Sequence, residues 1–110
     1  MSAYERRRGA TFEREVANLL QSELGFSVRR TLGQARDGGT DLHLPGGWAL
    51  ECKRRKSIPD YLAAGMKQAA TGGQYPAVVV RPDGGEPLVL LRMADWIRLV
   101  REELVSDDGK

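Results

Sequence analysis

The chain has 110 residues, 41% apolar and 29% charged. That composition belongs to a folded globular chain and excludes disorder, and the length suits one domain of ~100–150 residues. One cysteine, Cys52, excludes a disulfide framework and a cysteine-built zinc site. No apolar run approaches the ~18–20 residues of a membrane span. Arg6, Arg7 and Arg8 are followed by no apolar stretch, so a signal peptide is not expected. A reducing cytoplasm fits. Net charge is only +2, but residues 1–58 carry 11 Lys/Arg against 7 Asp/Glu, and residues 59–110 carry 6 against 8. Arginine supplies 13 of the 17 cations, clustered at Arg6-Arg7-Arg8, Arg29-Arg30 and Arg54-Arg55-Lys56. Arginine's planar fork suits phosphate oxygens, so the first half reads as a footprint for an anionic partner. A solvated surface is the plainer reading of any one cluster.

Residues 10–24 read as a helix, because Phe12, Val16, Leu19, Leu20 and Leu24 recur along one face. Gly25 is a natural stop. Residues 26–32 alternate as a strand, and 33–39 form a polar, glycine-rich loop that contains Arg36. Residues 40–44 and 48–54 are two strands around a Pro45-Gly46-Gly47 turn. A helix follows from about Ser57 to Ala70. Residues 76–81, PAVVVR, read as a strand buried on both faces. A strand over 87–93 and an amphipathic helix over 94–104 complete the order αβββαββα.

The hairpin over 40–54 carries the chemistry. Successive strand side chains point to opposite faces. Trp48, Leu50 and Cys52 therefore share one face, and Ala49, Glu51 and Lys53 the other. A three-residue turn pairs Leu44 with Trp48 and Leu42 with Leu50, and sets Asp41 opposite Glu51. A two-residue turn would bury Glu51 against Leu42, so the hydrophobic pattern selects the first register. Opposed like charges are destabilising. Lys53 offers one counter-charge, and a divalent cation with oxygen ligands a better one. In the helix, Glu13 lies within the apolar stripe. It either reaches solvent at the stripe's edge or finds a partner on the hairpin.

Asp41, then nine residues, then Glu51-Cys52-Lys53 resembles the signature of the PD-(D/E)XK nucleases. Gly9-Ala10-x-x-Glu13-Arg14-Glu15-Val16 and Gly25-Phe26-x-Val28-x-Arg30 extend the likeness to the archaeal Holliday-junction resolvase branch, in order over residues 5–56. Thr40 stands where the family's signature often has proline, and the 33–39 loop is longer than in the archaeal enzymes. The resemblance implies an α/β fold of restriction-endonuclease type, a small mixed β-sheet flanked by helices, as one domain over 1–110. It implies a Mg²⁺-dependent DNA endonuclease, with Mn²⁺ able to substitute, that resolves branched DNA as a homodimer in a prokaryotic or phage setting. Asp41, Glu51 and Glu13 would hold the metal, and Lys53 would polarise the attacking water. Arg30 would lie near the DNA backbone, joined by Arg6, Arg7, Arg8, Arg36, Arg54 and Arg55. His43 could touch substrate. Gln68, or Lys67 beside it, matches a helical position near the metal in some relatives. Cys52 and the two tryptophans read as core. Alternatives are a nicking or restriction-like nuclease of the same superfamily, a catalytically silent DNA-binding module, and a surface ion-pair network without chemistry.

Overall fold

A computed structural model describes residues 3–30 and 41–108. The 33–39 loop with Arg36 lies outside the described residues, as do the side chains of Arg6 and Arg8. Eight elements follow one another: α1 (Ala3–Leu24), β1 (Arg29–Arg30), β2 (Leu42–Leu44), β3 (Trp48–Leu50), α2 (Asp60–Ala70), β4 (Ala77–Val80), β5 (Leu88–Leu91) and α3 (Met93–Asp108). Their order is the expected αβββαββα. The chain divides into two compact units, Met1–Arg55 and Lys56–Lys110.

The first unit holds α1 and a three-stranded antiparallel sheet in the order β1-β2-β3. α1 begins seven residues earlier than the periodicity predicts. Residues 3–9 lack an apolar stripe, but their alanine, glutamate and arginines are good helix formers. The buried line along α1 is Glu13, Ala17 and Leu20. At about 100° per residue this line lies farther round than the expected stripe. It leaves Leu19 42% exposed and puts Glu13 at its centre. Leu42 and Leu44 on β2, with Val28 just before β1, are also buried. The Gln21 carbonyl accepts the Gly25 N–H at 3.0 Å, and the Gln21 side-chain Oε1 accepts the Val28 N–H at 3.1 Å. One residue thus ends the helix and anchors the segment leading to β1.

The β2–β3 register is Leu42↔Leu50, His43↔Ala49 and Leu44↔Trp48, as the hydrophobic pattern selects. The turn is possible because Gly46 and Gly47 adopt φ of 87° and 90°, which side chains with a Cβ rarely adopt. Trp48, expected in the core, is 36% exposed beside this turn.

In the second unit β4 and β5 form an antiparallel pair, Val79 opposite Val89. The single mixed sheet expected from the resemblance is therefore not what the described residues form: they make two sheets, both antiparallel. Nor is β4 buried on both faces. Val78 and Val80 are half-buried, whereas Val79 is 71% exposed. The reason is local: α2 crosses the Val78 face at Gly65, where a Cβ would come within 2.9 Å of Val78 Cγ2. Only the absence of a side chain there allows that approach. Ile97 and Val100 are the buried apolar residues of α3, and the Arg98 guanidinium stacks 4.3 Å above the Tyr75 ring. Among the described residues no helix is long and apolar enough to cross a membrane.

Candidate active site

The ladder between β2 and β3 stops at Leu42 and Leu50, and Asp41 and Glu51 form the next rung. Here side chains replace main-chain pairing. The Asp41 N–H donates to Glu51 Oε1 at 3.1 Å, and the Cys52 N–H donates to Asp41 Oδ2 at 2.7 Å. Each carboxylate thus binds the main chain of the opposite strand. Two facing acids call for a compensating positive charge. The structure meets part of that need with these main-chain donors, each of which satisfies one carboxylate oxygen. Lys53 Nζ lies 3.5 Å from Glu51 Oε2 and adds a positive charge. Asp41 is buried, whereas the Glu51 and Lys53 side chains are 46% and 65% exposed. One acid is therefore held inside the protein and the other faces solvent.

Glu13 does not reach solvent at the stripe's edge. It is 3% exposed, and its Oε2 lies 3.5 Å from Arg30 Nη2. Strand alternation explains the meeting. Arg30 stands opposite the fully buried Leu42, on the side of the sheet where the core lies, and so reaches the buried line of α1. Arg30, expected near DNA, acts here as the counter-charge of a buried acid.

Cys52 links the groups electrostatically. Burial pushes its thiol up from 9.0 to about 11, and the charges of Asp41, Glu13 and Glu51, in that order, push the same way, while Arg30 opposes them. Three acids from three segments thus act on one sulfur atom. The thiol is protonated at neutral pH and is no nucleophile. Because the folded value lies above the ordinary one, the thiol's contribution to stability is complete below pH 9 and is lost as pH rises to about 11. A spectrophotometric thiol titration of the folded protein should show that high midpoint, and Asp41→Asn should lower it. A midpoint unchanged by Asp41→Asn would place the carboxylate away from the sulfur.

His43 lies beside Arg29 and Ala49 in the sheet and is half-buried. Arg54 and Arg55 are exposed after β3, and Arg55 Nη1 donates to the Arg54 carbonyl at 3.1 Å. Arg7 is exposed on α1. Arg6 and Arg8 share that helix, so the cluster is helical and not a loose arm. Gln68 and Lys67 are exposed on α2 in the second unit. There the Gln68 carbonyl accepts the Thr71 hydroxyl at 2.6 Å and closes the helix. Sequence reasoning missed the two main-chain donors. The only signal for them is the register, which places Asp41 and Glu51 one step beyond the last ladder pair.

Among the described residues no group of three or more His, Cys, Asp or Glu stands ready to ligate a metal ion. Two oxygen donors are nevertheless enough for Mg²⁺, which takes one or two carboxylates and completes its shell with water and phosphate oxygens. Asp41 and Glu51 offer such hard donors, and a carboxylate oxygen that accepts one N–H bond keeps a second lone pair. Comparison with protein-family models, with curated proteins and with solved structures finds no match for this chain.

Proposed function

We propose that the protein is a divalent-metal-dependent DNA endonuclease, with branched DNA as the substrate class. The observation that carries this reading is the interlocked rung: Asp41 and Glu51 each fixed by the opposite strand's main chain, with the Lys53 ammonium 3.5 Å from Glu51. A surface ion-pair network explains this less well. Exposed pairs contribute only about 0–1 kcal/mol, and such a network has no use for a buried aspartate aligned with an exposed glutamate. The first-half arginines and the resemblance to PD-(D/E)XK nucleases support DNA as the polymer.

Asp41 and Glu51 would hold Mg²⁺. When bound, the ion would supply Lewis acidity to the phosphoryl oxygens and make a water acidic enough to attack. The chain's own residues do the rest. The Cys52 and Asp41 N–H groups aim the carboxylates before substrate arrives. Such preorganisation removes a rearrangement from the reaction. Lys53, 65% exposed and tethered by Glu51, can donate an N–H hydrogen bond to the incoming water or to a phosphoryl oxygen. Water oxygen bonds to phosphorus as the bond to the leaving nucleotide oxygen breaks. Glu13, buried and 3.5 Å from Arg30, would add negative potential beside the metal-holding pair.

The test incubates the protein with labelled four-way junction, Y-fork, linear duplex and single strand, in Mg²⁺, Mn²⁺ or EDTA. Cleavage in metal and none in EDTA is expected, fastest on the junction. DNA binding without cleavage of any substrate would leave the silent binding module. Equal rates on junction and duplex would favour the nicking or restriction-like nuclease.

A further inference from the structure

We infer that the groove between residues 27–29, which lead into β1, and the end of β2 seats a phosphodiester of the nucleic-acid backbone, and that Arg29, not Arg30, is the strand residue that grips it. The inference rests on the nuclease reading for its polymer and adds a second contact to it. The groove is open, about 500 Å³, and lined by Ser27, Val28, Arg29, His43, Leu44 and Pro45.

β-Alternation divides the Arg29-Arg30 pair. Arg30 faces the buried Leu42 side and is engaged with Glu13. Arg29 stands opposite His43 on the other face, is exposed, and makes no ion pair among the described residues. An exposed guanidinium beside an imidazole and the Ser27 hydroxyl brings three donor-bearing groups together, the chemistry of a phosphate seat. Pro45, exposed where β2 ends, adds an apolar edge suited to a sugar. Enclosure points the same way: small-molecule sites bury ~70–90% of their ligand, whereas an open groove lets a chain enter and leave.

Position ties the groove to the acids. His43 is two residues from Asp41, roughly 7 Å along the strand. A nucleic-acid strand laid along β2 would therefore reach Arg29 and His43 within a few nucleotides of the Asp41–Glu51 rung. The contact would set register and not sequence.

The test measures the dissociation constant of a short labelled duplex against NaCl concentration, in EDTA so that nothing is cut. Wild type, Arg29→Ala, His43→Ala and Arg30→Gln are compared at a temperature where thermal melts show all four folded. Arg29→Ala is expected to weaken binding several-fold at low salt and to reduce the log–log salt slope by ~0.7–0.9, one phosphate contact. His43→Ala should weaken binding, and Arg30→Gln should keep the wild-type slope. An unchanged slope for Arg29→Ala overturns the proposal, as does a slope reduced by Arg30→Gln alone. Millimolar inorganic phosphate that displaces duplex from wild type but not from Arg29→Ala would mark a free-anion site and also overturn it. If wild type binds duplex through Arg29 but cleaves no substrate in metal, the nuclease reading fails and the seat stands. If it cleaves and Arg29→Ala binds like wild type, the seat alone fails. A wild type that binds no DNA sinks both.

Discussion

Asp41→Asn and Glu51→Gln should each reduce metal-dependent cleavage by roughly three orders of magnitude, about 4 kcal/mol of transition-state stabilisation. The structure makes these two variants unusually clean. Asparagine keeps a side-chain oxygen that can accept the Cys52 N–H, and glutamine keeps one for the Asp41 N–H. The interlock between the strands survives, and only the charge is removed. DNA binding in EDTA should therefore be retained or tightened, because one negative charge fewer faces the phosphates. Single-turnover cleavage and a parallel binding titration measure the two quantities. Full cleavage by both variants would rule out Asp41 and Glu51 as the catalytic pair and with them the mechanism, and loss of binding would show that the rung serves the fold before the chemistry.

Arg30→Ala should cost about 2–3 kcal/mol of folding stability, read from urea unfolding. Breaking a buried pair commonly costs ~3–5 kcal/mol, because the remaining charge stays in a poorly solvated place. A value at or just below the lower end applies here. Arg30 is itself 23% exposed, and its contact with Glu13 is 3.5 Å, longer than a good charge-assisted hydrogen bond. The double variant Glu13→Gln/Arg30→Ala should recover part of the loss, since no carboxylate remains to be stranded. Additive single effects would mean that the two side chains do not interact. The cycle also separates roles, for an arginine needed only for DNA would leave the urea midpoint unmoved.

Much of the hairpin was legible in residue order. Leu42, Leu44, Trp48 and Leu50 allow one register, because a slip by one residue would turn Glu51 towards the core. That register alone predicts the Asp41–Glu51 rung. Glu13 was half legible. Its place within the apolar stripe was visible, but Leu19 pulled the apparent centre of the stripe away from it. Ala17, small and easily overlooked, proves to be part of the buried line. The β4 segment misled in the other direction. A run of valines reads as burial on both faces, yet composition cannot say whether one face or two will be covered, and Val79 stays exposed.

Local order was therefore enough for the succession of helices and strands, the turn at Gly46-Gly47 and the pairing across it, since periodicity and backbone sterics act over a few residues. Which oxygen meets which N–H at the rung depends on where the strands stop pairing, and that Arg30 and not its neighbour Arg29 meets Glu13 depends on which side of the sheet α1 covers. Both are settled by packing between segments distant in the chain, and no short-range pattern encodes them.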